Sequence, residues 1–97
     1  MARVIYSSEA LTDLERIIDF LLAASPENAA AALAQIESAV LILRAHPRIG
    51  RRVDGPRREL VISHGAAGYL ALYRYDPRAD LVRILRIRHQ REAGYLD

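Results

Sequence analysis

The chain has 97 residues, an apolar fraction of 52% and a net charge of +2, which is the profile of one small globular domain spanning residues 1–97. It contains no cysteine, which excludes disulfide bonds and thiolate metal sites. Charged or amide side chains interrupt every apolar stretch before it reaches the ~20 residues of a membrane span. The segment Met1–Ser8 lacks the apolar run of a signal peptide. We therefore expect a cytoplasmic protein without a membrane partner.

The charge is distributed unevenly along the chain. Residues 1–47 carry 3 basic and 6 acidic residues, a net charge of −3, whereas residues 48–97 carry 11 and 6, a net charge of +5. Every basic residue is an arginine. An arginine-rich second half suits contacts with carboxylates, phosphates or the acidic face of a protein partner.

The first half of the chain predicts a strand followed by two helices. Arg3–Tyr6 is β-branched and aromatic, as in a short strand. Ser7 or Ser8 can cap the first helix. Its apolar positions recur at helical spacing and predict a buried stripe. They are Leu11, Leu14, Ile17, Ile18, Leu21 and Leu22.

Pro26 suits the first position of a second helix, which is expected to run from Pro26 to Ala45 and to end before Pro47. The short link between the helices predicts a helical hairpin. The buried stripe expected for the second helix is Ala29, Ala32, Leu33, Ile36, Val40 and Leu43.

The second half predicts a loop at His46–Pro56 and then an antiparallel meander of three strands joined by hairpin-length turns. The strands are Arg57–Ser63, Tyr69–Tyr75 and Leu81–His89, and the turns are residues 64–68 and 76–80. Period-two alternation places Leu81, Leu85 and Ile87 on one face of the last strand, and Arg86 and Arg88 on the other. The expected fold is α+β, with helices on one sheet face and exposed arginines on the other.

This order of elements resembles the RelE/ParE family of bacterial toxins over nearly the whole chain. The residues that carry the resemblance are Val4-Ile5-Tyr6, Ala10-Leu11-x-Asp13-Leu14 with Ile17, His46-Pro47-x-x-Gly50-Arg51, Arg58-Glu59-Leu60, Tyr69-Leu70-x-Leu72-Tyr73-Arg74, and Val82-x-Ile84-Leu85-x-Ile87-x-His89 with Arg91. The resemblance implies a growth-inhibiting toxin of a type II toxin–antitoxin system, of the kind that stabilises plasmids. It also implies a cognate antitoxin as partner and no cofactor.

One departure of this sequence from the family pattern bears on which of the family's two branches it resembles. RelE-like members are ribosome-dependent messenger-RNA endonucleases, and their Gly-Tyr pair is typically followed by an arginine that contacts the cleaved phosphate. Here Gly68-Tyr69 is followed by Leu70, which cannot stabilise phosphorane charge. Arg74 lies roughly 13 Å further along the strand. The resemblance therefore favours the ParE-like branch, whose members are associated with inhibition of DNA gyrase, and a protein that is not an enzyme.

Two alternatives stay open. The first is a ribosome-dependent endoribonuclease that uses His89, Arg91 and the loop arginines Arg48, Arg51 and Arg52, since a histidine can act as general acid or base and an arginine can hold a phosphate. The other interpretation of His89 is that it ends a strand and bonds to backbone. The second alternative is a non-toxic member of the family that retains only antitoxin binding.

The arginines of the second half are the expected target-binding residues. They are Arg48, Arg51, Arg52, Arg74, Arg86, Arg88 and Arg91. Solvent exposure alone, or cross-strand pairing with acids such as Glu59, is the alternative for several of them. Tyr69, Tyr73 and Tyr75 are interpreted as core and rim residues. The histidines and carboxylates show no metal-ligand spacing, so no metal is expected.

Overall fold

The computed structural model describes residues 1–64, 67–92, 94 and 95. Its elements are β1 (Arg3–Tyr6), α1 (Ser8–Ala24), α2 (Pro26–Ala45), β2 (Arg51–Asp54), β3 (Arg57–His64), β4 (Ala67–Asp76) and β5 (Leu81–His89). The strands form one mixed sheet in the order β1-β5-β4-β3-β2. β1 runs parallel to β5, and the other pairs are antiparallel. The expected α+β class, helical hairpin and three-stranded meander are confirmed.

Two serines define the ends of the helices. The Oγ atom of Ser7 accepts the N–H of Ala10 at 3.0 Å and caps α1. Ser25 ends that helix by donating its N–H to the carbonyl of Leu21 at 2.8 Å. The same serine caps α2 by accepting the N–H of Asn28 at its Oγ. Since one residue separates the helices, they form the predicted hairpin.

The stripe predicted for α2 is buried except at Leu33, which is half-buried. Ile36, Val40 and Leu43 are fully or almost fully buried, as are the smaller Ala29 and Ala32. All of these except Ala29 belong to one core cluster with the buried residues of β4 and β5.

The stripe predicted for α1 is wrong at two positions. Leu11 and Leu22 are 52% and 48% exposed. The buried line of this helix runs instead through Ala10, Asp13 and Ile17. That line contains a small residue and an acid, so hydrophobic periodicity does not identify it. Leu11 therefore lies on the exposed surface of the helical hairpin.

A bulge in β5 changes which of its residues face the helices. Tyr73 pairs with Ile84 and Leu72 pairs with Arg86, so Leu85 has no partner on β4. An extra residue of this kind breaks the period-two alternation. The buried residues are therefore Val82, Ile84 and Ile87, and the predicted face of Leu81, Leu85 and Ile87 is wrong.

The middle strand carries the expected tyrosines into the core. Tyr69 is 4% exposed and Tyr73 is fully buried. The hydroxyl of Tyr73 accepts the backbone N–H of Gly50 at 2.8 Å, which fixes the segment after α2. Tyr75 lies at the rim and donates its hydroxyl proton to Asp80 at 2.7 Å. The interpretation of these residues as core and rim is confirmed.

The face of the sheet turned away from the helices, called the outer face below, is only partly open. Leu70 and Leu72 on β4 are 6% and 5% exposed. Tyr95 follows β5 and donates a hydrogen bond to Glu59, the neighbour of Leu72 on β3. The C-terminal segment, through Tyr95, therefore covers one part of the outer face. The predicted open face with exposed arginines is found only on the remaining part.

β2 lies within the segment predicted to be a loop. Its four residues, Arg51–Asp54, are all exposed and pair with the first residues of β3. An edge strand without a buried face has no apolar alternation, so the sequence pattern does not reveal it. Gly55, with a φ of +46°, turns the chain between the two strands.

The turn expected at residues 64–68 is shorter than predicted, because β3 extends to His64 and β4 begins at Ala67. Gly65 and Ala66 lie outside the described residues. In the part of the chain that the structure describes, neither helix is long and apolar enough to cross a membrane.

Candidate functional site

An apolar groove runs between β1 and the helical hairpin. β1 is an edge strand, and its inward-facing side chains line the floor of the groove beside both helices. The groove has a volume of about 350 Å³. It is lined by Val4, Tyr6, Leu11, Leu14, Leu33, Glu37, Val40 and Leu41.

The rim of this groove is apolar and accessible. Leu11 on α1 and Leu41 on α2 are 52% and 56% exposed. Glu37 supplies a carboxylate beside Tyr6, and burial together with that carboxylate raises the pKa of the tyrosine. The surface therefore suits a segment with an apolar face and a basic group. The sequence pattern did not reveal this groove. Leu41, an apolar residue outside the buried stripe of α2, is the feature of the sequence that indicates it.

Two of the predicted loop arginines meet in a basic pocket, defined by Arg48, Arg52, Arg58 and Tyr75. The guanidinium of Arg48 lies 4.9 Å from the centroid of the Tyr75 ring, a cation–π contact. Arg58 donates hydrogen bonds to the carbonyls of Arg48 and Gly50, which holds the segment in place. The pocket has a volume of about 210 Å³ and presents positive charge to solvent.

Arg51 is separated from this pocket because successive side chains of a strand point to opposite faces. Its guanidinium pairs with Glu59 on the outer face. The hydroxyl of Tyr95 donates to the other oxygen of Glu59 at 2.8 Å. Burial disfavours ionisation of Glu59, but the hydrogen bonds from Arg51 and Tyr95 outweigh it and lower its pKa. Burial and the Glu59 carboxylate raise the pKa of Tyr95.

Arg86 and Arg88 are also engaged within the protein. The Nε of Arg86 donates to Asp13 at 2.8 Å, and its guanidinium lies 5.6 Å from the Tyr95 ring centroid. Arg88 donates to the carbonyl of Glu92 and lies 5.2 Å from the same ring. These two predicted target-binding residues thus hold α1 and the C-terminal segment against the sheet.

His89 and Arg91 lie at the end of β5 and just after it. The Nδ1 atom of His89 accepts the backbone N–H of Arg91 at 3.1 Å. The imidazole also makes an edge contact with Tyr69, with ring centroids 5.4 Å apart. A hydrogen bond to backbone at Nδ1 leaves Nε2 as the nitrogen that can reach a ligand. The side chain of Arg91 is exposed in the following turn.

Arg74 is far from this pair, on the exposed end of the outer face of β4, where it lies opposite Arg83. Leu70 is buried on the same face between Val61 and Arg88 on the neighbouring strands. The predicted target-binding arginines therefore occupy separate surfaces. Among residues 1–64, 67–92, 94 and 95, no three His, Asp or Glu side chains come together as a metal site.

The fold matches that of a class of small toxin domain. A family model described as the ParE toxin of type II toxin–antitoxin systems, parDE, matches residues 4–94. A solved structure titled as a chromosomal ParDE toxin–antitoxin system from P. aeruginosa superposes with a TM-score of 0.71 at 26% identity, covering 90% of this chain and 94% of the other.

Two curated relatives come from Caulobacter vibrioides. Toxin RelE3 is 39% identical over 92 residues, covering 95% of this chain and 98% of the relative. Toxin RelE2 is 35% identical over 89 residues, covering 92% and 96%. The chain belongs to the RelE/ParE family of type II toxins, and the match spans almost its entire length.

Proposed function

We propose that this protein is a ParE-like toxin that inhibits DNA gyrase by direct contact and is neutralised by a cognate antitoxin. The proposal rests on the identity of residue 70. Leucine occupies the position at which the ribonuclease branch has its phosphate-contacting arginine. It is 6% exposed and packed in the sheet, so it offers no group to a scissile phosphate. Inhibition through contact requires no such group.

The geometry of the C-terminal pair supports the same proposal. Acid–base cleavage of RNA requires a base aimed at a 2′-hydroxyl and a cation at the phosphate. Nδ1 of His89 is occupied by the backbone of Arg91. The nearest arginine on the strand, Arg88, donates to the Glu92 carbonyl and contacts Tyr95. Arg88 is therefore not available to hold a phosphate beside His89, whose Nε2 atom remains accessible.

The contact surface that we assign to gyrase is the basic pocket of Arg48, Arg52 and Arg58. The guanidinium groups of Arg48 and Arg58 are held by the Tyr75 ring and by backbone carbonyls, so little of their side-chain entropy is lost on binding. Because gyrase acts on chromosomal DNA, the proposal implies action in the cytoplasm.

The apolar groove is the surface that we assign to the antitoxin. Its rim leucines and the Glu37 carboxylate fit a segment with apolar anchors and a basic residue. The groove also lies beside the free edge of β1, to which an extended segment can add as a strand. Antitoxin segments of this kind order on binding.

The names of the two relatives from Caulobacter vibrioides favour a second candidate function. A RelE-like activity would be ribosome-dependent cleavage of messenger RNA involving His89 and Arg91. This candidate predicts codon-phased cuts in ribosome-bound message that disappear in the Arg91→Ala variant.

Direct binding tests the proposal. Antitoxin-free protein is immobilised, and each purified gyrase subunit is passed over it, with ribosomes in a parallel channel. We expect saturable binding of one gyrase subunit that weakens in an Arg48→Gln/Arg52→Gln variant and persists in Arg44→Gln, whose side chain lies on α2. Saturable binding of ribosomes alone would contradict the gyrase proposal and support the second candidate. Binding to neither would indicate a non-toxic member of the family.

A further inference from the structure

Three arginines stand side by side across three strands at the open end of the outer face. Arg57 on β3 pairs with Arg74 on β4, and Arg74 pairs with Arg83 on β5. Directly paired residues of an antiparallel sheet share a face. Strands lie ~4.8 Å apart, so this arginine row spans about 10 Å. Like charges placed directly opposite one another destabilise a sheet, which makes the row costly unless it meets an anion.

The acids near the row are already engaged. Asp54 accepts two hydrogen bonds from Arg57. Asp76 accepts the backbone N–H groups of the turn that follows β4. Arg74 and Arg83 have no ion-pair partner in the described part of the chain, although together with Asp76 they line a polar depression of about 200 Å³.

The chemistry of the row indicates a nucleic-acid backbone. Arginine is also enriched in protein–protein interfaces, where it stands among aromatic and apolar anchors, whereas this row sets three arginines side by side. Protein–DNA interfaces are polar and strongly positive, and guanidinium groups bind phosphates bidentately. Arg83 pairs with the partly exposed Ile5 on β1. Arg3 lies two residues before Ile5 on the same face of that strand and adds a further positive charge beside the row.

The same row favours double-stranded over single-stranded nucleic acid. Single-strand binding relies on aromatic side chains on which bases stack. Tyr95, the aromatic residue of the outer face near the row, is held by its hydrogen bond to Glu59 and by its contacts with Arg86 and Arg88, so its ring is already engaged within the protein. Tyr75, the adjacent residue of β4, points to the opposite face. Contact through phosphates alone is the mode in which duplex DNA is bound without sequence preference.

We propose that the arginine row of Arg57, Arg74 and Arg83 binds the phosphate backbone of duplex DNA. This goes beyond the proposed function, because contact with gyrase or antitoxin does not require the toxin itself to touch DNA. The row lies on the face of the sheet opposite the helices and the apolar groove. A protein with its groove occupied therefore still presents the row.

Fluorescence anisotropy of a labelled 20-base-pair duplex, titrated with antitoxin-free protein, tests the proposal without gyrase or ribosomes. We expect weak binding at low salt, and a log–log slope against salt of about −2, because Arg74 and Arg83 supply two phosphate contacts while Arg57 is already paired with Asp54. Arg74→Gln and Arg83→Gln should each weaken binding roughly three- to tenfold and make the slope shallower by about 1. Arg44→Gln removes the same charge from the helical layer and should leave the slope unchanged.

Three results would overturn the proposal. The first is absence of duplex binding by the folded protein at 50 mM salt. The second is an equal loss of affinity in Arg44→Gln and Arg83→Gln, which would mean that net charge alone attracts DNA. The third is displacement of the duplex by poly-glutamate at equal charge concentration, which would assign the row to an acidic protein. Matching urea midpoints of all variants establish that each is folded.

Discussion

The carboxylate of Asp13 on α1 accepts the backbone N–H of Ile87 on β5 at 2.8 Å, across 74 positions of the chain. The same carboxylate pairs with Arg86 at 2.8 Å and is almost fully buried. β1 pairs only with Leu81–Ile84, so the rest of this edge of β5 needs other partners. Asp13 therefore provides a hydrogen-bond acceptor for the part of the β5 edge that β1 does not reach.

Replacement of Asp13 should destabilise the fold strongly. Asp13→Ala removes the acceptor of the buried Ile87 N–H and the ion pair with Arg86, and we expect a loss of about 3 kcal/mol in the free energy of unfolding. Asp13→Asn keeps one acceptor and should lose less. Asp19→Ala, at an exposed position of the same helix, is the control. Urea unfolding measures all three, and equal midpoints for Asp13→Ala and Asp19→Ala would refute the role of Asp13.

Glu59 should make stability depend on acid pH. Its pKa is lowered in the folded protein, so its contribution is present above the ordinary value of about 4.5 and is lost as pH falls through the folded value. Glu59→Gln should therefore be less stable than the parent protein at pH 7, by about 1–3 kcal/mol. The difference should shrink between pH 5 and pH 3. Unfolding curves across this range provide the test, with the exposed Glu15→Gln as control; a constant difference would contradict it.

Gly50 is expected to tolerate no side chain. A Cβ at this position would lie 2.6 Å from the Tyr73 ring and 2.9 Å from the carbonyl of Glu59, both parts of the core. We expect Gly50→Ala to cost about 2 kcal/mol, as other overpacked sites do. Gly94→Ala, which would have no atom within 4 Å, should be neutral. Thermal unfolding of the two variants decides, and equal melting temperatures would count against the tight contact with Tyr73.

The apolar groove makes a sharp prediction for antitoxin binding. Leu41 lines the groove and Ile42 does not, although both are about half exposed and adjacent in α2. Leu41→Glu should weaken the affinity for the cognate antitoxin at least tenfold, because it buries a second carboxylate beside Glu37. Ile42→Glu should change it little. Calorimetric titration measures both, and a stronger effect at Ile42 would place the antitoxin on another face.

The order of helices and strands was predictable because each depends on local patterns. Ser7, Ser25 and Pro26 act as caps and stops within a few residues, and the apolar spacing of α2 survives in the core. Three features were not predictable. The bulge at Leu85 depends on the pairing with β4. β2 is formed by exposed residues that show no alternation. The exposure of Leu11 depends on how α1 is rotated against the sheet.

The sequence predicts which residue types form the candidate site, but it does not predict how those residues are arranged in space. The sequence identified the arginines of the second half, yet Arg51 and Arg86 pair with Glu59 and Asp13, residues that are distant in sequence. The burial of those acids and the position of Tyr95 depend on tertiary contacts. The arginine row was likewise hidden, because Arg57 and Arg83 are brought together only by the register of three strands.

The most direct test of the account is a supercoiling assay in which antitoxin-free protein is titrated against DNA gyrase, ATP and relaxed plasmid. The account predicts that supercoiling is inhibited, that linear cleaved plasmid accumulates, and that the cognate antitoxin reverses both effects. Undiminished supercoiling at every concentration of folded protein would contradict it. Codon-phased cleavage of ribosome-bound message by the same preparation would then assign the protein to the RelE-like activity.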